Sequence, residues 1–446
     1  MRFKVRYKKK SKKLFIFSVR TLYEAFFYCG IINYGNINSI VLSFNQEASE
    51  YCKKKKIKFI NIFNKKNNSL DSKKINKIEI SKIFHEKNEF SLQDTTKLKM
   101  KYLNYYNQIR KKIDILNLKF DIYVFQEIGG FVSHLSLFYY CKDRKINHFF
   151  LEPSFVKDRF FCIKNSFLIP KFKFYNKFDN STKKLLKNLK LKKPLSFISI
   201  HKDRYRKALF KVFDLNNILR AISKIFKKYF LNYHYDYEYV FTYIKQHIYM
   251  AFKSLIQRLL YQSSPQKNYI YFPLHVPNDI SLSLRSRKYY DQFKFIKNLI
   301  KYIPKNYKLV VKEHPSFIGR YDFVKLNSLI RENKNRIVLV SPNINSYDLI
   351  KKAEIVITIN SKSGAEAIIL NKPFMSFANS FYENFNGINT FKNLRNLNNK
   401  KGKFFKINNN KNLFFLYSLN KFTYKGELFN LSKTNIKFFY SFLKTF

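Results

Sequence analysis

Short apolar runs separated by helical spacing dominate the first third of the chain. KLFIFSV (Lys13 to Val19), NSIVLSF (Asn38 to Phe44), KKIKFINIF (Lys55 to Phe63), FDIYVFQ (Phe120 to Gln126) and NHFFLEP (Asn147 to Pro153) read as strands. TLYEAFFYCGII and the run from Phe131 to Cys141 carry apolar residues at helical intervals between them. Alternation of this kind predicts parallel pairing in an open α/β sheet. Residues 64–99 are polar and lysine-rich and read as a loop or excursion with some helix.

From Ser181 to about Gln262 the pattern becomes purely helical, with NNILRAISKIFKKYF and YVFTYIKQHIYMAFKSLIQRLLY. Their aromatic stripe is expected to be a packing face. A second alternating series follows: IYFPL, KLVVK, RIVLVSP, EIVITIN and KPFMSF as strands, with amphipathic helices between them. The tail is polar and then aromatic and helical. The expected organisation is an N-terminal Rossmann-like domain (1–180), a helical connection (181–265), a C-terminal Rossmann-like domain (266–385) and a helical tail (386–446). Two doubly wound sheets place a binding site in the cleft between them, beyond the carboxyl ends of the strands.

Composition changes this picture in two places. Hydrophobic residues make up 46% and aromatics 19%, which excludes a disordered chain despite the charge. Lys and Arg number 86 against 29 Asp and Glu, a formal charge of +57 that favours anionic partners. The lysines are spread over the whole chain with no nucleic-acid signature, so no specific nucleic acid is expected as a partner. The four cysteines are dispersed, which fits a reducing compartment. LFIFSV is too short for a signal-peptide core, and no apolar run is long enough to span a bilayer. These features point to a cytoplasmic protein held peripherally on an anionic inner-membrane surface by its charge.

The candidate chemistry lies at strand ends of the second series. KLVVK runs into Glu313-His314-Pro315, where Lys312 offers a charge and His314 a hydrogen bond to a phosphate oxygen. A simple strand-to-helix turn fits the same residues. EIVITIN runs into Asn360, Ser361, Ser363, Gly364 and Glu366, where hydroxyls and free N–H groups could hold an anion. Ser363 to Glu366 also fits a capping box. A third strand end, PLHVPNDISLSLRS, offers His275, Asn278, Asp279 and Arg285, with a capped turn as the plain alternative. No Asp-x-Asp pair or histidine cluster suggests a metal.

YFPLHVPND, KLVVKEHP and NSKSGAEAIILNKPF, in this order and spacing, resemble the capsular polysaccharide biosynthesis family, which includes Kdo-transferase-like enzymes. The resemblance covers about Ile270 to Tyr382 well and the N-terminal half in outline. It implies a GT-B-like glycosyltransferase with two Rossmann-like domains. His314 and Pro315 match the His-Pro motif that holds a CMP-sugar, Ser361 and Ser363 match the serine loop, and Glu366 matches the acid after it. No cofactor is implied beyond a nucleotide-sugar co-substrate, CMP-linked, with a lipid-linked or saccharide acceptor. The family's acidic N-domain motif falls at Glu152, where Pro153 and Ser154 replace its Asp and Gly. Glu127 in FQEIGG is the other candidate base. A CDP-alcohol polyol-phosphate transferase and a non-enzymatic polyanion-binding protein are the alternative readings.

Overall fold

The computed structural model describes residues 12–63, 72–191, 212–236, 239–385 and 410–446, with Phe391 and Leu394. The basic N-terminal residues, the start of the polar excursion and the polar opening of the tail lie outside them.

The first half contains β1 (Lys13–Val19), α1 (Leu22–Gly35), β2 (Ser39–Ser43), α2 (Gln46–Lys54) and β3 (Phe59–Asn61). The excursion follows as α3 (Ser72–Asn76), α4 (Phe84–Glu89) and α5 (Thr95–Asn117). Then come β4 (Asp121–Glu127), α6 (Val132–Asp143), β5 (Asn147–Pro153) and β6 (Arg159–Lys164). The connection holds α7 (Asn180–Leu191), α8 (Leu215–Tyr229) and α9 (Val240–Ile256). The second half begins with β7 (Tyr269–Pro273), α10 (Ile280–Ser283), α11 (Gln292–Ile300), β8 (Lys308–Lys312) and α12 (Phe323–Glu332). It continues with β9 (Ile337–Val340), α13 (Ser346–Lys352), β10 (Ile355–Thr358), α14 (Ser363–Ile369) and β11 (Phe374–Ser376). The tail forms α15 (Lys411–Phe422), β12 (Tyr424–Lys425) and α16 (Lys433–Leu443).

Two sheets result. The first runs β12-β6-β5-β4-β1-β2-β3, with β5 to β3 all parallel and β6 and β12 added antiparallel. The second runs β11-β10-β7-β8-β9 and is wholly parallel. Strands buried on both faces explain the near-continuous apolar runs. In β1, Leu14 and Ile16 face a core with α5 and α6, while Phe17 and Val19 face α1 and α16. Side-chain alternation in β7 likewise divides Tyr269 and Tyr271 from Ile270 and Phe272. One core unites the halves, joining Phe150, Phe155 and Phe161 to Tyr271, Tyr382 and Phe415. Each ring buried there contributes about 2–3 kcal/mol.

Two features depart from the sequence reading. NHFFLEP does not close the first series, because β6 and the tail's β12 extend that sheet. The stripe on α8 is also not a packing face, since no residue of that helix is buried. Periodicity shows that a stripe exists but not what covers it.

Candidate functional site

In both sheets the first strand of the series (β1 or β7) lies beside the fourth (β4 or β10), with the second and third on its other side. Strand order therefore reverses between β7 and β10, which opens a crevice at their carboxyl ends. The loop after β7 carries His275 and Asp279, and the loop after β10 carries Asn360 to Lys362 and leads into Ser363. The neighbouring β8 delivers Lys312 and His314 to the same end. Residues distant in sequence meet here because the topology brings their strand ends together.

Lys312 is buried and donates from Nζ to Ser346 Oγ at 3.0 Å. Burial lowers its ammonium pKa to about 8, against the pull of Glu366. His314 is half-buried, and its backbone carbonyl accepts from Phe317 N–H at 3.0 Å, closing a tight turn that starts at Pro315. Burial holds its imidazole down at about 4; Asp279 opposes this, while Lys312, Lys362 and His275 add to it. His314 is therefore a neutral donor or acceptor at neutral pH. Glu313 points the other way, accepting from Gln257 Nε2 and from Tyr261 Oη at 3.0 Å. Burial raises its carboxyl to about 7.

Asn360 Nδ2 donates to Ser281 O (3.1 Å), Ser286 Oγ (3.0 Å) and Asn379 O (3.3 Å). Its Oδ1 is buried without a hydrogen-bond partner among the described residues. Ser361 N–H is taken by Thr358 Oγ1 at 2.9 Å, and Ser361 Oγ accepts from Ser363 N–H at 3.0 Å. The capping box that Ser363 to Glu366 could also have formed is absent: α14 starts at Ser363 itself, so Ser363 lies inside the helix instead of capping it. The Ser363 hydroxyl instead bonds Glu366, whose carboxyl is pushed up by burial and held back by Ser363, Lys312 and Lys362. Gly364 is a packing requirement, since a Cβ there would stand 2.5 Å from the Tyr382 ring. Tyr382 Oη in turn donates to Ser361 O at 2.6 Å, fixing the loop.

His275 is buried and accepts the Asn360 N–H on Nε2 at 3.4 Å, which leaves its proton on Nδ1. Its backbone is clamped on both sides by Gln292. Asp279 caps α10 through Ser281 N–H at 2.7 Å. Burial would raise its carboxyl, but His275, Ser281 and Arg285 together keep it low. Asn278 and Arg285 serve the contact between halves. Asn278 Nδ2 donates to His85 O (2.9 Å) and Glu89 Oε2 (3.0 Å). Arg285 forks onto Glu152, with Nη1 to Oε1 at 3.0 Å and Nη2 to Oε2 at 2.5 Å.

That fork brings Glu152 to the cleft but occupies both of its oxygens. Glu127 lies elsewhere, at the end of β4 beside Tyr28 of α1, whose hydroxyl its charge pushes upward after burial and Glu24. The Gly129-Gly130 loop that follows packs under two histidines. A Cβ on Gly129 would reach His134 at 2.3 Å, and one on Gly130 would reach His85 at 2.3 Å.

Two groups of site residues were not singled out from the sequence. Lys362 is solvent-exposed yet walled by protein, which lowers its ammonium pKa, while Glu152, Asp279 and Glu366 pull it back. Its signal was its place between the two serines of NSKSG. The excursion supplies the other group. His85 Nδ1 meets Ser283 Oγ at 2.8 Å, and Glu89 Oε1 accepts from Arg320 at 3.0 Å. Nothing in a polar, lysine-rich stretch marked these residues as a bridge to the second half.

Comparison with known proteins bears on this arrangement. FixF of Sinorhizobium fredii is 31% identical over 118 residues, which cover 26% of this chain and 27% of that protein. Among solved structures, the β-Kdo 2,7-transferase of Thermosulfurimonas dismutans KpsC is 15% identical, over 83% of this chain and 98% of that one, with a TM-score of 0.34. A Rickettsia africae glycosyltransferase is 13% identical over 98% and 100%, with a TM-score of 0.31. Anabaena Alr3699/HepE in complex with UDP and glucose is 11% identical over the same shares, with a TM-score of 0.29. The family model for capsule polysaccharide biosynthesis proteins matches residues 188–422, and so takes in every strand end described for the second half. That match spans more than half of the chain, which belongs to the capsule polysaccharide biosynthesis protein family.

Proposed function

We propose that the chain is a glycosyltransferase that uses a nucleotide sugar, bound in the crevice between β7 and β10, to extend a capsule or surface polysaccharide. The observation that carries this reading is the convergence of Lys312, His314 and Lys362 with Asn360 and Ser363 at one topological switch point. Two ammonium groups and a neutral imidazole suit a nucleotide phosphate. The unpartnered Asn360 Oδ1 suits a hydroxyl or N–H of the same ligand. The donor is a CMP-linked acidic sugar such as Kdo, and the acceptor is a lipid-linked or saccharide hydroxyl. No metal is required in this reading, since fixed cations neutralise the phosphate.

In the transfer step the bond from the anomeric carbon to the phosphate oxygen breaks, and the acceptor oxygen takes its place. The phosphate leaves with the electron pair, stabilised by Lys312 and Lys362. A carboxylate must take the acceptor's proton. Glu152 is the first-half carboxylate electrostatically closest to Lys362, and it acts as base after release from Arg285.

A thermal-shift series with CMP, CDP, UDP and GDP, and with their sugars, tests the reading. The expected result is stabilisation by CMP and its sugar that is lost in Lys312→Ala and Lys362→Ala. Stabilisation by a CDP-alcohol alone would move the chain to polyol-phosphate transfer. No response to any nucleotide would refute the donor site.

A further inference from the structure

The paired helices α8 and α9 form an apolar surface for which the donor site has no use. More than half of the exposed large apolar side chains among the described residues lie between Phe213 and Leu259. On α8, Leu215, Ile218, Leu219, Ile222 and Phe226 recur at helical spacing along one stripe, each at least 40% exposed. On α9 and the short turn that follows it, Phe241, Ile248, Phe252, Leu255 and Leu259 form a second stripe. Tyr229 and Phe241 join the two, with ring centroids 5.4 Å apart. The four half-bare rings of Phe226, Tyr229, Phe241 and Phe252 alone expose on the order of 400 Å² of aromatic surface. That already matches the largest apolar patch of a typical soluble monomer, roughly 300–600 Å².

The inner sides of the helices are fastened, so the stripes are not awaiting a place in the core. Lys227 of α8 pairs with Glu47 of the first half, and the backbones of Gln46 and His234 bond at 2.9 Å. Met250, Ala251 and Ser254 of α9 are buried, and Gly319 of the second half approaches the α9 backbone so closely that a Cβ would lie 2.4 Å from Met250 O. The surface therefore spans both halves and ends where Gln257 and Tyr261 hold Glu313, next to the donor corner.

We infer that this surface docks the protein onto an anionic lipid bilayer, with the aromatic and aliphatic stripes lying in the interface plane. Charge complementarity selects the bilayer. Besides Lys227, which holds Glu47, the two helices carry Arg220, Lys224, Lys228, Lys245 and Lys253 and no acidic residue. Each such cation near an anionic surface adds about 1 kcal/mol to attraction. A second copy of a chain with a formal charge of +57 is repelled instead. No helix among the described residues is long and apolar enough to cross a membrane, so the helices lie on the bilayer. This inference is independent of the donor reading. It gives the cleft a fixed height above the membrane, where a lipid-linked acceptor would be presented.

Flotation of the full-length protein with vesicles of phosphatidylcholine, alone or with one third phosphatidylglycerol, tests it. Partition onto the anionic vesicles should be at least tenfold stronger and weaken with salt. Ile222→Ser, Phe226→Ser and Phe252→Ser combined should lower it at least tenfold while net charge and Tm stay unchanged. Equal binding of that variant would show attraction by diffuse charge and overturn the assignment. Absence of wild-type binding would overturn it too, as would a wild-type dimer, seen by light scattering, that the variant converts to a monomer.

Discussion

The five parallel strands of each sheet share one strand order, and the two switch points are used differently. Beyond β7 and β10, cationic side chains line a crevice that solvent reaches at Lys362. Beyond β1 and β4, the corresponding region is filled by a charge network closed on itself. Lys101 Nζ bonds Glu86 Oε1 at 2.9 Å and Asp236 O at 2.7 Å, and Ser133 Oγ donates to Asp236 Oδ2 at 2.6 Å. Arg20 Nη1 approaches Asp236 Oδ2 at 3.4 Å, and Glu86 Oε2 accepts Val132 N–H at 2.8 Å. Lys101, Glu86 and Asp236 are all buried. Identical topology thus yields a crevice in one half and a sealed polar core in the other, and side-chain balance decides which. Anions and cations neutralise each other in the first half. In the second, Lys312 is bonded to a hydroxyl.

The largest expected effect comes from opening the sealed network. Lys101→Met leaves Glu86 buried without its cation and Asp236 with Arg20 alone, at a cost of about 3–5 kcal/mol. Chemical denaturation should show this as a lower midpoint, and nucleotide binding by the remaining folded protein should be unchanged. A loss of binding with intact stability would instead make the first half part of the donor site.

The second half should respond in the opposite sense. Lys362→Ala and Lys312→Ala should weaken CMP-sugar affinity by roughly ten- to a hundredfold each, about 1.4–2.7 kcal/mol. Stability should be unchanged or slightly higher, because burial already disfavours the Lys312 charge. Glu152→Gln separates the two roles of that residue. A base is lost with turnover down roughly a hundredfold or more and donor affinity intact. A purely structural clasp would give a lower Tm with turnover nearly preserved.

Titration sharpens the contrast further. Glu313 has a folded pKa raised to about 7, so the native state binds the extra proton between the usual carboxylate range and 7. Its contribution to stability is present below that range and is lost as pH rises through 7. Glu313→Gln should flatten this slope in pH-dependent unfolding and raise stability at pH 8 by roughly 2–3 kcal/mol. The smallest effect concerns Lys312, whose charge is lost above about 8. Donor affinity should fall as pH rises through that value in the wild type. Lys312→Arg should remove that step, because the guanidinium stays charged.

The second half was legible because its signals are local. KLVVK followed by His314-Pro315, and EIVITIN followed by Ser361 to Ser363, each place polar groups at the end of a strand. Parallel topology then brings them together without further information. The first half was less legible because its contacts are long-range. Lys101 and Asp236 are 135 residues apart, and Glu152 and Arg285 are separated by 133. Neither pairing leaves a trace in spacing, and β12 joins the first sheet only because the tail returns to it. Lys362 was passed over as one lysine among many. In a chain so rich in that residue, only its place in the crevice distinguishes it.

Calorimetric titration of CMP into the full-length wild type and into Lys362→Ala most directly tests whether the β7–β10 crevice is the donor site. The account predicts a single site in the wild type and at least tenfold weaker binding in the variant, with both proteins melting at the same temperature. Equal affinity in the two would contradict it.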